Sequence, residues 1–384
     1  MTRYCTVLLL VSGVAAGFQS ATCNFLNAEE RSASSQLVFS SRRWEGEFFT
    51  NDTPGQEGRT EVTGGIYRIN SDGTGLQKIV ELGGRTEYPI PGPDGEWVFF
   101  QSNVTGRSQV YRCRRDGSGV TNLTEGNPLG PEWVESYGIT LSADGKQLIY
   151  TVHNGEIGRV VIANSDGSDP RFVAPQLGYT YMTAISPQGD RIAFSGPARG
   201  YRLLIADLPN GDPRLLTPDH PESFAPQFTP DGKTILFFRR DGDLYRVETS
   251  GGDPKRLTEG NGYVEFRLSK KDQHGSTDGP QLSPDGSMIA YMVDRGGVSN
   301  IHLIGIDGKN QRQFTHRSTN CGRVRWSIDG KRLAFISFVG ESKYPQLFVI
   351  DVDGGEPRQV TDLNEAVYFP HWCPSLANQA RPKP

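Results

Sequence analysis

The sequence predicts an all-β chain: a seven-bladed β-propeller of four-stranded antiparallel blades, closed three-plus-one by its C-terminal strand. Three observations carry that prediction. A turn followed by a short apolar strand recurs along the chain. A second turn, Asx-Gly or its equivalent, recurs between those units. The two ends of the chain are complementary fragments of one unit.

The first element is clearest at Ser283-Pro-Asp-Gly-Ser-Met-Ile-Ala-Tyr-Met292. Pro presets φ, Asp bonds its own backbone and Gly takes the positive φ that closes the turn. Counterparts are Pro93-Asp94-Gly95, Ala143-Asp144-Gly145, Pro187-Gln188-Gly189, Pro230-Asp231-Gly232 and Ile328-Asp329-Gly330. These turn glycines lie 43 to 54 residues apart, a period that marks a repeat architecture. The 46 Gly and 25 Pro among 384 residues suit many short strands joined by turns.

The second element is a hairpin turn at Gly73, Gly117, Gly167, Gly211, Gly252, Gly308 and Gly354, followed by a strand ending near Leu-Thr. Asx-Gly between apolar runs is a strong hairpin signal. Four strands therefore fall in each unit: in one copy Phe224 to Thr229, Thr234 to Phe238, Leu244 to Val247 and Lys255 to Thr258. Seven such units in series predict a propeller, each blade burying its faces on its neighbours. The first unit, opening at Leu37-Val-Phe39, lacks a first strand, and Tyr368-Phe-Pro-His-Trp372 supplies that pattern after the seventh unit. The C-terminal strand thus completes blade one and leaves no unpaired edge.

Outside the repeats, Arg3 precedes the apolar run Val7 to Ala16, which reads as a secretory signal over residues 1–22, with cleavage after Ala16 or Ala21. The run is too short for a stable bilayer span. Cys23 is a candidate lipidated N-terminus, although no leucine stands three residues before it. Residues 23–35 read as a linker, 36–375 as the propeller and 376–384 as a polar tail. The expected location is periplasmic or secreted, and the expected state a monomer. A net charge of −4 with mixed signs gives no nucleic-acid footprint. Cys321 and Cys373, both in first strands, read either as a disulfide or as buried free thiols.

The pattern Ser-Pro-Asp-Gly, apolar strand, second strand, Asp-Gly-Gly-x-Pro-Arg-x-Leu-Thr resembles the TolB-type (PD40) propeller repeat, best at 225–258 and 323–361 and covering about 36–375. The resemblance implies the fold. It implies less about activity, because this repeat serves partner-binding envelope proteins, peptidase propeller domains and carbohydrate-active enzymes. The chain differs from TolB itself in having no separate N-terminal α/β domain and seven units against six, which weakens a strict Tol-Pal role. A peptidase reading finds no room for a hydrolase domain.

Loops from a fourth strand to the next first strand converge at one channel mouth. They carry Glu87, Glu135 with Tyr137, Glu222 and Glu365. Such carboxylates either form an acidic ring for a divalent cation or basic peptide, or cap neighbouring backbone N–H groups. His220, His274 and His316 lie in the same loops and His371 in the closing strand; together with carboxylates they are candidate divalent-metal ligands. The first-strand positions equivalent to His371 are Ile90, Thr140, Ala184, Gln227, Gln281 and Arg325. Gln227, Gln281, Arg325 and His371 form a polar subset, either a structural layer or a ligand contact. Two long loops, 259–279 with Arg267 and His274, and 125–137 with Trp133, are candidate clamps for a peptide or a sugar. No nucleophile elbow, P-loop, dinucleotide fingerprint or His-Glu-x-x-His motif appears.

The leading expectation is a non-catalytic scaffold binding an envelope protein or peptide at the channel mouth. The alternative is an enzyme resembling propeller lyases of uronate polysaccharides, acting on an oligosaccharide. His220, His274, His316 or His371 would then be the base, and Arg267 or Arg325 the carboxylate clamp.

Overall fold

The computed structural model describes residues 36–45, 60–126, 128–177, 180–196, 202–218, 222–260, 279–340, 342 and 344–376. The expected signal segment, the linker with Cys23, most of the tail, and Arg267, His220 and His274 lie outside the described residues.

Seven four-stranded antiparallel sheets form the ring. In chain order, blade two is Thr86–Pro91, Trp97–Ser102, Gln109–Arg114 and Thr121–Asn122. The first strands of blades three to seven are Glu135–Leu141, Tyr181–Ile185, Ser223–Phe228, Gln281–Leu282 and Cys321–Trp326. Blade one is closed as the sequence predicts: Ala366–Trp372 pairs with Gln36–Glu45, which pairs with Thr60–Asn70 and then Gln77–Glu81.

The apolar strands are continuous rather than alternating because both faces of each blade are covered. Leu148, Tyr150 and Val152 pack on Phe99 and Val110 of the blade before, while Ile149 packs on Ile192 and Phe194 of the blade after. Seven buried clusters result, one at each blade interface, and the last joins blade seven to blade one through Ile336, Val349, Phe39 and Trp372. Arginines knit neighbouring blades: Arg246 donates to Ile306 O, and Arg332 reaches from blade seven to Ser71 of blade one.

The recurring residues have local reasons. In Ser283–Gly286 the serine hydroxyl donates to Asp285 at 2.6 Å and accepts the Met288 N–H at 2.9 Å, while Gly286 sits at φ 75°. The Leu-Thr ending is shorter than the sequence suggests: six of the seven described outer strands contain only two residues. The threonine hydroxyl then takes over the ladder. Thr258, Thr315 and Thr361 each accept the N–H of a third-strand residue at 2.9 Å. Each also donates to a polar residue just upstream, Asp243, Asn300 or Gln346.

Cys113, Cys321 and Cys373 are free and buried. Cys321 lies between blades six and seven and Cys373 between one and two, so the candidate pair is not formed. Burial pushes both thiols up to about 11.

Acid should unfold the ring in two stages. Burial lowers His302 from 6.5 to about 4, with Arg295 and His316 adding repulsion. Burial, then Arg325, lowers His371 in the same direction. A lowered basic group makes the unfolded chain bind more protons, so stability present above pH 6.5 is lost as pH falls through that window, by on the order of 3 kcal/mol for His302. Turn aspartates 144, 231 and 285 lie below their ordinary 3.8, first because Ser or Thr hydroxyls donate to them. Their contribution is lost below that pH. Denaturant midpoints from pH 8 to 3 should be level, decline below 6.5 and drop further below 4; a constant midpoint across 6.5 to 4 would remove the histidine stage.

Candidate functional site

The channel is built by a bulge repeated in six of the seven blades. Pairing between first and second strands slips between Glu87 and Ile90, Tyr137 and Thr140, Tyr181 and Ala184, Phe224 and Gln227, and Gly322 and Arg325. The same slip occurs in the closing strand opposite Val38 and Ser40. At one equivalent position the backbone is left-handed: Tyr88, Gly138, Met182, Ala225, Gly279, Arg323 and Phe369, with φ between 50° and 94°. Bulges bend a strand and re-aim its side chain. For a non-glycine residue the conformation costs about 1–2 kcal/mol.

The seven side chains at this position divide the channel into unlike halves. Blades seven, one and two contribute Arg323, Phe369 and Tyr88. The Tyr88 and Phe369 rings stack with centroids 3.5 Å apart, and the Arg323 guanidinium lies 4.2 Å from the Phe369 centroid and 6.0 Å from that of Tyr88. Of the other four blades, three, five and six contribute only Gly138, Ala225 and Gly279, and blade four contributes Met182.

Two residues further along each strand come Ile90, Thr140, Ala184, Gln227, Gln281, Arg325 and His371. They face Phe99, Ile149, Ala193, Leu236, Ala290, Ala334 and Val38 in matching register. The equivalence read from sequence therefore holds in space. Arg325 Nε donates to His371 Nε2 at 3.0 Å, which leaves the imidazole proton on Nδ1, 3.4 Å from Phe369 O. Gln227 Oε1 accepts the Leu282 N–H at 3.0 Å. Burial pushes both Arg323 and Arg325 down to about 10, still charged at neutral pH. This wall offers cations and aromatic faces, suited to an anionic group carried on an apolar frame.

The acidic loop residues are placed differently from one another. Glu87 is buried between Arg42 and Arg85, with Arg85 Nε at 3.1 Å. Glu222 pairs with Arg240 at 2.9 Å. Glu365 Oε2 accepts from Ser41 Oγ at 2.9 Å and Tyr67 OH at 3.4 Å. These three carboxylates are thus committed to neighbouring groups. Glu135 is half-buried opposite His153 in register, and the half-buried Tyr137 ring lies 6.4 Å from that imidazole. His316 is exposed. Among the described residues, no group of three or more His, Cys, Asp or Glu side chains is placed to hold a metal ion. Trp133, read as a candidate ligand platform, is core: it is 5% exposed and packs on Phe172.

The TolB beta propeller domain family, PD40, matches residues 265–378. Among curated relatives, the uncharacterized peptidase YuxL of Bacillus subtilis is 34% identical over 105 residues, covering 26% of this chain and 16% of that protein. The Tol-Pal system protein TolB of Francisella tularensis is 26% identical over 258 residues, covering 64% of this chain and 55% of that one. The chain thus spans less than two thirds of the length of either. Among solved structures, a Mycobacterium tuberculosis puromycin-hydrolyzing peptidase superposes with TM-score 0.62 at 16% identity, over 83% of this chain and 53% of that one. An oligogalacturonate lyase in complex with manganese does so with TM-score 0.55 at 15% identity, over 83% and 85%. These superpositions establish the propeller fold alone. The chain is a seven-bladed β-propeller whose residues 265–378 match the TolB beta propeller domain family.

Proposed function

We propose that this propeller is a non-catalytic binding scaffold in the cell envelope, and that its channel mouth receives a segment of an envelope protein bearing an acidic side chain. The observation that carries the reading is the one-sided wall of Arg323, Arg325, Tyr88 and Phe369, in a ring where three of the other four positions carry almost no side chain. The bare side leaves room for a chain and the charged side gives it a register. An acidic ring for a basic peptide has less support, because Glu87 and Glu365 are engaged internally and Glu222 is paired with Arg240 at the surface. The likeness to a Tol-Pal system protein supports the envelope setting.

The test is capture from envelope extract with immobilised protein, repeated with excess poly-glutamate and with excess poly-lysine. A partner displaced by poly-glutamate alone is the expected result. Displacement by poly-lysine, or no specific partner, overturns the reading.

One observation favours a second reading. The Arg325–His371 contact puts a neutral imidazole beside a guanidinium, the pair a uronate lyase needs as base and carboxylate clamp. Incubation with oligogalacturonides, followed by absorbance of the unsaturated product, decides it. Turnover abolished by His371→Asn would replace the scaffold with an enzyme.

A further inference from the structure

The hairpin between the second and third strands of blade three carries a reactive arrangement of its own. Those strands are Gln147–His153 and Gly158–Asn164. The turn between them is Asn154-Gly155-Glu156-Ile157, closed by the Asn154 N–H on Ile157 O at 3.2 Å. It stands at the end of the ring that bears the loops between blades. The sequence has three Asn-Gly pairs, at 154, 210 and 261. Such a pair can cyclise, because glycine has no Cβ to obstruct its own nitrogen on the side-chain amide carbon of the preceding asparagine. Two things slow that reaction. The backbone nitrogen is a weak nucleophile until a base takes its proton, and negative charge builds on the side-chain oxygen.

Both obstacles are met at Asn154. The Gly155 N–H donates to His153 Nδ1 at 2.9 Å. That contact sets the tautomer, with the ring proton on Nε2 and a basic lone pair on the proton that must be lost. Asn154 Oδ1 accepts the N–H of Glu156 at 3.0 Å and of Ile157 at 2.9 Å. Two backbone donors on one carbonyl oxygen polarise the amide carbon and hold the oxyanion that attack produces. Gly155 is exposed, and a Cβ built on it would meet nothing within 4 Å, so water reaches the product. Asn210-Gly211 differs. There the Gly211 N–H is bound to Asp207 O at 2.8 Å, a carbonyl far too weak a base to remove the proton. Asn261 lies outside the described residues.

We propose that Asn154 is a self-modification site, where His153 is the general base for cyclisation onto Gly155 and the N–H groups of Glu156 and Ile157 are the oxyanion donors. The Gly155 N–H proton passes to His153 Nδ1 as the bond from nitrogen to Cγ forms, and the carbonyl π pair moves onto Oδ1. Collapse of that oxyanion breaks the Cγ–Nδ2 bond. The departing nitrogen takes the proton back from the imidazolium, through water, and leaves as ammonia. Water then opens the cyclic imide at either carbonyl, which leaves aspartate or isoaspartate in place of Asn154. The net change is hydrolysis of one amide by one water. The product adds a carboxylate, and in the iso form an extra backbone carbon, to a hairpin tied to the 125–137 loop by the Val134 N–H on His153 O at 3.0 Å.

The test is ageing of the purified full chain at neutral pH and physiological temperature, read by peptide mapping in a mass spectrometer and by enzymatic methylation of isoaspartate. The expected result is conversion at Asn154 well ahead of Asn210 in the same molecules. In His153→Phe conversion at Asn154 should slow on the order of 100-fold, the least that a positioned general base supplies. His153→Gln separates basicity from shape, because its amide oxygen can still accept the Gly155 N–H but cannot take the proton. It should be as slow as His153→Phe. Conversion at Asn210 reports the folded state of both variants and should not change. Equal conversion at Asn154 and Asn210, a slowing of less than about tenfold in His153→Phe, or parent-like conversion in His153→Gln overturns the proposal.

Discussion

A chain ending at Glu365, which lacks the closing strand, should show no cooperative unfolding transition. Removal of the strand takes Val367, Tyr368, Phe369 and Trp372 out of the interface between blades seven and one, and Cys373 out of the interface between one and two. Each large apolar side chain removed from water is worth about 1.5–3 kcal/mol. The sum is on the order of 10 kcal/mol, against about 5–15 kcal/mol for a whole domain. The loss does not end there. Gln36–Glu45 becomes an unpaired edge, exposing the backbone groups that bond Ala366, Val367, Tyr368, His371 and Trp372. The Arg115 contact with Pro374 O, at 2.8 Å, disappears with it. Thermal melting followed by near-ultraviolet circular dichroism, with dye binding for exposed apolar surface, reads the outcome. A sharp transition within a few degrees of the full chain would mean that six blades and a partial seventh suffice, and the closure argument would fail. A peptide of residues 366–384 should restore the transition in a concentration-dependent way, because the strand binds only the folded ring.

That closure was legible in the sequence because it rests on repetition. The channel was legible in part. Arg325 and His371 could be aligned with Ile90 and Gln281 because each stands at a fixed distance before a turn. The bulge two residues earlier left almost no trace. Only Gly138 and Gly279 carry the residue that a left-handed backbone favours, while Tyr88, Met182, Arg323 and Phe369 look like ordinary strand residues. Tertiary context holds them there, and sequence pattern cannot report it. Arg323 was missed for that reason. The loop carboxylates were misleading for another. Glu87 finds Arg42 in the neighbouring blade, and Glu365 finds Ser41 and Tyr67 across the ring closure. His302 had no local signal at all: in a strand of apolar residues it reads as one more buried position, and its unsatisfied Nδ1 appears only once the neighbouring strands are placed.

Arg323→Met should stabilise the fold and weaken partner capture at the same time. Burial holds the guanidinium down to about 10, a cost of roughly 3 kcal/mol at neutral pH. A thioether returns part of that, because it keeps the packing on Phe369 and Tyr88 without the charge. The lost cation–π contact subtracts about 0.5–2 kcal/mol, so the net gain should be on the order of 1 kcal/mol, a rise of a few degrees at most in melting temperature. Replacement of a buried charge by an apolar side chain of similar volume often has this sign. Capture of an acidic segment should fall at least tenfold, since a charge-assisted bond in a desolvated site is worth about 1.5–3 kcal/mol. Arg323→Lys, which keeps the charge but not the flat face over Phe369, should lie between. The opposed signs are what separate a binding residue from a structural one. A purely structural arginine would lower stability when removed and leave capture untouched, and that pair of results would take Arg323 out of the binding wall. If both quantities move as expected, Arg323 belongs to the binding wall, and its charge serves capture at a cost in stability.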